Sequence, residues 1–132
     1  MNEHSHVRIE SPAFAADSVH VIELSGRETI SQLFEFHAQV VSSDPAGLDV
    51  DAVIGATAAL VFERGEVEVR RLGGIVAGIR DSMHEETGKM VYDLFFAPRA
   101  FRLGLVETYE IFMDISVPDI VKKKLERAGL VE

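Results

Sequence analysis

The chain has 132 residues, 47% of them apolar and 27% charged, a length and balance that suit one globular domain with a buried core and exclude a disordered chain. Thirteen basic against twenty-two acidic residues leave a net charge of −9, which repels phosphate backbones and anionic headgroups and sets nucleic acid and membrane surfaces aside as partners. Cysteine is absent, which excludes disulfides, thiolate nucleophiles and zinc–thiolate sites, and no stretch approaches the ~20 apolar residues of a membrane span.

Residues 1–6, MNEHSH, read as a polar, flexible N-terminal arm without the apolar region of a signal peptide. Residence in the cytoplasm is the expectation, and any export uses a route without a cleavable signal. HVRIES follows as a short strand ended by Pro12, and VHVIEL as a second strand before a turn at Ser25 and Gly26. In LFEFHAQVV, Phe34, Phe36, Ala38 and Val40 alternate with Glu35, His37 and Gln39, the period of two of a strand with one buried and one wet face. SSDPAGLDVDAVIG interrupts the pattern with Pro45 and Gly47 and holds one helical turn at Asp51 to Ile54, before Gly55. TAALVFE and VEVRRLGGIVAGIRDS, joined by the tight RGE connection, read as a hairpin. Its second arm carries Gly73, Gly74 and Gly78, and glycines inside a strand signal bulges, sharp coiling or close backbone approach.

HEETG is a further turn. KMVYDLFFAP is a strand with Met90, Tyr92, Leu94 and Phe96 on one face and Val91, Asp93, Phe95 and Ala97 on the other, covered on both sides at its far end. RAFRLGLVE reads as a helical turn and YEIFMDI as the last strand. The C-terminal helix is the best marked element. Ser116 caps it with Asp119 three residues on, and Val117, Ile120, Val121, Leu125 and Ala128 recur at helical spacing. Lys122, Lys123, Lys124 and Arg127 complement its negative end, and Gly129 supplies a left-handed stop. Turn signals every 8–12 residues or so favour a mainly β fold, an antiparallel β-barrel with one C-terminal amphipathic helix and short helical turns, as a single domain over 1–132.

Residue chemistry suggests no catalytic, cofactor or metal site, and the chain is expected not to be an enzyme. No serine sits in a Gly-x-Ser-x-Gly elbow. Gly88 and Lys89 are followed by Met90 where a phosphate-binding loop needs a hydroxyl. His4 and His6 lie on the arm, His20, His37 and His84 are scattered singly, and Glu85 and Glu86 are neighbours on a turn, where they cannot face each other across a cleft.

LSGRETISQLFEFHAQVVSSD resembles the opening of the VgrG family, the spike proteins of type VI secretion, and of the related phage late-control and baseplate hub proteins. The resemblance continues in order through VIGATAALVF, RRLGGIVAGIRD, YDLFFAPRAFRL and YEIFMDISVPDIVKKKLERAGL, from about Arg8 to Leu130. Gly26, Phe34, Gly55, Gly74, Ile75, Pro98, Phe112, Val117, Pro118, Asp119 and Ile120 are the structural positions that carry it. Two residues depart from the family pattern: Phe101 stands where a tryptophan is usual, and Glu110 where a basic residue is common before Ile111 and Phe112.

The resemblance implies a phage baseplate hub-like barrel, the first of two in each subunit of a homotrimer whose ring joins a hexameric tube to a threefold needle. The chain is then the N-terminal fragment of a longer hub or spike protein. Its implied partners are other copies of itself, the tube protein, baseplate proteins, and spike-tip or effector proteins, and it resides in the cytoplasm during assembly, before injection. The alternatives are a hub of a phage tail or phage-like particle, or a stand-alone small barrel that binds a ligand or peptide.

Overall fold

Six strands form one antiparallel sheet in a computed structural model that describes residues 4–83 and 89–130. They are β1 (Ser5–Glu10), β2 (Val19–Arg27), β3 (Glu35–Ser42), β4 (Thr57–Arg64), β5 (Val67–Met83) and β6 (Met90–Ala97), with a single helical turn, α1 (Val50–Val53), between β3 and β4. The order is β1-β4-β5-β6-β3-β2, and the outermost strands β1 and β2 lie beside each other without a ladder, so the sheet curls into a nearly closed barrel. This is the mainly β architecture expected from the period-two patterns. β1 already begins at Ser5, so Ser5 and His6 of the expected arm pair with Arg64 and Glu63.

The alternation in β3 and β6 decides which side chains fill the barrel. Phe36, Ala38 and Val40 point inward while Glu35 and His37 face water. On β6, Tyr92, Leu94 and Phe96 are buried, and so are Val91 and Ala97 of its second face. Val40, Leu60, Val76, Leu94 and Phe96 are each 0% exposed, so the interior is a packed core without a lumen.

β5 makes the corner. Its first half pairs with β4 and its second half with β6, and Ile75 is paired on both sides, with Thr57 and with Ala97. The three glycines of this strand act differently. Gly78 sits at a bulge between the two registers, Gly74 is pressed against β6, and Gly73 faces open space.

The turn expected at Ser25 and Gly26 is not there. Both residues continue β2, and Gly26 pairs with Phe36. A Cβ on Gly26 would lie 2.2 Å from Phe36 Cδ1 and 2.6 Å from the Glu35 carbonyl oxygen, so the glycine serves a close strand approach where a local reading takes it for a turn.

The loop after β3 is held from inside the barrel. The Tyr92 hydroxyl accepts a hydrogen bond from the Leu48 N–H at 3.0 Å, beside Gly47 at φ 75°. Tyr92→Phe strands that N–H without a partner, and we expect a loss of about 1–2 kcal/mol, read as a lower urea midpoint at unchanged m-value. An unchanged midpoint would show that the tether carries no stability.

Tertiary contacts gather in two compact units, Met1–Pro98 and Arg99–Glu132, where one domain over 1–132 is expected from the sequence. Pro98 has no N–H to extend the β6 ladder, which accounts for a boundary there. The second unit holds a 3-10 turn (Arg99–Leu105), a strap without regular secondary structure over 106–116 and helix α2 (Val117–Arg127). The helix signals operate as read. The Asp119 N–H donates to Ser116 Oγ at 3.3 Å, and Gly129 at φ 69° turns the chain so that the Leu130 N–H reaches the Leu125 carbonyl at 2.9 Å.

The strand expected at YEIFMDI is a correction: residues 109–115 belong to no ladder among the described residues, and Asp114 at φ 56° interrupts the run. Their period of two is real, with Tyr109, Ile111 and Met113 outward and Glu110 and Phe112 toward α2. Alternation reports an extended chain with two unlike sides, and it does not by itself provide a neighbour to pair with.

Candidate functional site

Of the barrel positions singled out by the resemblance, Gly26, Phe34 and Gly74 meet in one aromatic seam with Phe36 and Phe96. Phe34 stacks on Phe96 with ring centroids 5.6 Å apart and meets Phe36 edge-on at 5.9 Å. Gly26 lies against the far side of Phe36, and Gly74 lies against Phe96. Ile75 follows Gly74 as the doubly paired residue, the Gly55 N–H donates to the Val76 carbonyl at 2.7 Å, and Pro98 ends β6. These residues form a wall, with both glycines where a side chain would collide with the seam. Phe112, Val117, Pro118, Asp119 and Ile120 lie in the second unit. There Asp119 closes the cap, Phe112 lies 5.7 Å beneath Lys124 Nζ, and Val117 is exposed.

The outer surface of the barrel carries ion pairs that the sequence reading missed. Arg8 pairs with Glu10 and with Glu63 at 2.7 Å, and Arg71 pairs with Glu10 at 2.6 Å and Glu68 at 3.0 Å, a belt that clasps edge strand β1 to β4 and β5. Hydrogen bonds from Arg71 and then Arg8 hold the Glu10 carboxyl below the usual range, and Arg71 does the same to Glu68. Arg70 grips Glu28 with two nitrogens, at 2.9 and 2.5 Å, tying the loop after β2 to β5, and its guanidinium lies 5.9 Å from the Phe62 ring centre. Of these pairs Arg8–Glu10 and Arg71–Glu68 are close in sequence. The others join elements whose meeting no local pattern announces.

The histidines are dispersed. His37 stacks on Phe95 at 5.1 Å on the outer face, and His20 borders an open hollow with Ser43, Asp44 and Lys89. His4 is exposed, and His6 lies in β1. His84, Glu85 and Glu86, with the expected HEETG turn, lie outside the described residues. Among the described residues no group of three or more His, Cys, Asp or Glu is arranged to hold a metal ion. No buried side-chain nitrogen or oxygen among them lacks a hydrogen-bond partner. No helix among them is long and apolar enough to cross a membrane. The geometry offers packed walls and charged rims.

Glu110, one of the two departures from the family pattern, has an internal role. It accepts from Arg127 at 2.7 Å and Lys124 at 3.1 Å, which joins the strap to α2. The hydrogen bond from Lys124, with Arg127 adding its charge, keeps the Glu110 carboxyl below the usual glutamate value. A carboxyl depressed in the folded state stabilises above its ordinary pKa, and that stabilisation fades as pH falls through the folded value. We therefore expect the strap to loosen from α2 in acid, with the Glu110 carboxyl carbon titrating at a lower midpoint than in a short peptide. Lys124→Ala should move that midpoint upward, and a midpoint unmoved by the substitution would break the assignment.

The phage tail baseplate hub (GPD) family model matches residues 27–132. Type VI secretion system spike protein VgrG5 of Pseudomonas aeruginosa is 34% identical over 129 residues, 97% of this chain and 15% of its own length. VgrG1c of the same organism is 32% identical over 124 residues, 93% of this chain and 16% of its own length. The chain thus spans a small part of the curated relatives it matches. Among solved structures, the E. coli c3393 protein is described as a component of the type VI secretion system with structural similarity to the T4 bacteriophage tail proteins gp27 and gp5. It superposes with a TM-score of 0.70 at 21% identity, covering 100% of this chain and 31% of that one, and shares the fold. With most of its length inside the family model, the chain belongs to the phage tail baseplate hub (GPD) family.

Proposed function

We propose that the chain is the first barrel of a trimeric hub that joins the tube of a contractile injection machine to its spike for effector delivery. The observation that carries this reading is the family match over residues 27–132. A part that transmits load needs satisfied walls and broad contact surfaces more than a cleft, and the packed interior and ion-paired outer face suit that task. The role is structural, with no bond made or broken by the chain. Its partners are other copies of itself in a homotrimer, the tube protein, baseplate proteins, and spike-tip or effector proteins. It assembles in the cytoplasm and leaves with the machine.

A secretion spike is favoured over a phage tail hub by the identities of 34% and 32% to spike proteins. A stand-alone ligand-binding barrel is disfavoured by an interior whose central residues are 0% exposed. The test is deletion of the gene in the organism that encodes it, followed by assay of tube protein in the culture medium. Release should disappear and return on complementation. Undiminished release would overturn the spike reading, and loss of tailed particles in that case would assign the chain to a phage-type hub.

A further inference from the structure

The strap before α2 has the makings of a strand without a neighbour. Its inner side is pinned: Lys124 Nζ donates to Thr108 Oγ1 at 3.0 Å and pairs with Glu110, Arg127 pairs with Glu110 at 2.7 Å, and Lys124 lies over Phe112. These contacts fix the strap against α2 in advance, which lowers the ordering cost of any association. Its outer side presents Tyr109, Ile111 and Met113 at 102%, 91% and 80% exposure, a row of large apolar residues on alternate positions. Within the second unit no main-chain hydrogen bond is made by residues 107–113 to another described residue. Asp114 at φ 56° then turns the chain out of the extended conformation and ends the run.

We propose that residues 107–113 are a docking edge for β-strand addition. The partner is an extended segment with apolar residues on alternate positions and lysine or arginine at its ends. The basic ends follow from charge. Exposed Glu107 stands two positions before the apolar row, Asp114 closes its far end, and the chain as a whole carries −9. A second copy of this chain would bring the same acid-flanked edge and another −9, so it is the poorer occupant. Main-chain pairing supplies the attraction, and the alternate side chains select the partner. The inference does not depend on the hub reading.

A direct probe is the blocked peptide Lys-Val-Thr-Val-Thr-Val-Lys, titrated into the full 132-residue chain and followed by NMR and amide hydrogen exchange. It should bind and protect the amides of residues 107–113. A glutamate-ended version, or one N-methylated at alternate amides, should bind about tenfold more weakly or worse. Ile111→Ser should weaken binding by a similar factor while leaving the thermal midpoint in place, since that side chain is exposed. Absence of binding up to about 1 mM, equal binding of all three peptides, or protection elsewhere on the chain would overturn the proposal. Sedimentation completes the test: a concentration-dependent dimer lost in Ile111→Ser would assign the edge to a second copy and overturn the basic-ended partner.

Discussion

Phe96→Ala is expected to lower the unfolding free energy by about 4 kcal/mol, and the thermal midpoint by roughly 10–15 °C for a chain of this size. Phe96 is 0% exposed and joins the largest buried side chains of the barrel to its wall. Its ring stacks on Phe34 at 5.6 Å and fills the space over Gly74. Truncation therefore loses the transfer term of a whole aromatic ring, and the cavity left behind has rigid walls of main chain on the Gly74 side, which cannot collapse into it. Phe34→Ala, at a partly buried position in the same stack, should cost about half as much. Calorimetry on both variants checks the ranking. A loss below about 1 kcal/mol at Phe96 would mean that the seam is not the structural centre described above.

Gly74→Ala carries the second large effect, a loss of about 3 kcal/mol by overpacking. A Cβ there would lie 2.3 Å from the Ala97 carbonyl oxygen and 2.8 Å from Phe96 Cζ. The ring can give way, but the carbonyl cannot without disturbing the three-strand pairing of Thr57, Ile75 and Ala97. Gly73→Ala is the internal control, since nothing lies within 4 Å of its Cβ position, and its effect should stay within about 0.5 kcal/mol. Combining Gly74→Ala with Phe96→Leu should recover only the part of the clash that belongs to the ring. Equal losses at Gly73 and Gly74 would discard the steric account, since replacing glycine where φ is ordinary should by itself stabilise the folded chain.

The elements most legible in the sequence are those whose signals are local. The alternation of Phe34, Phe36, Ala38 and Val40 marks β3, that of Tyr92, Leu94 and Phe96 marks β6, and the Ser116, Asp119 and Gly129 signals mark both ends of α2. The resemblance likewise selected Gly26, Phe34 and Gly74, which the fold brings onto one aromatic seam. What stayed hidden depends on partners remote in the chain. Gly26 looks like a turn until Phe36 is placed opposite it. The three glycines of β5 look alike until Ala97 and Phe95 are set against them. Arg8 reaches Glu63 across 55 positions and Arg71 reaches Glu10 across 61, separations at which no pattern in the sequence predicts pairing. The YEIFMDI segment is the instructive failure, because the strand expected there has no neighbour to pair with among the described residues.

β5 belongs to both halves of the barrel, and this leaves no seam along which the wall can part a little at a time. Small openings are confined to the gap where β1 and β2 adjoin without a ladder. The amides in the middle of β5 should therefore trade their hydrogens with solvent only when the whole barrel comes undone, while those along the free edge of β2 do so orders of magnitude sooner.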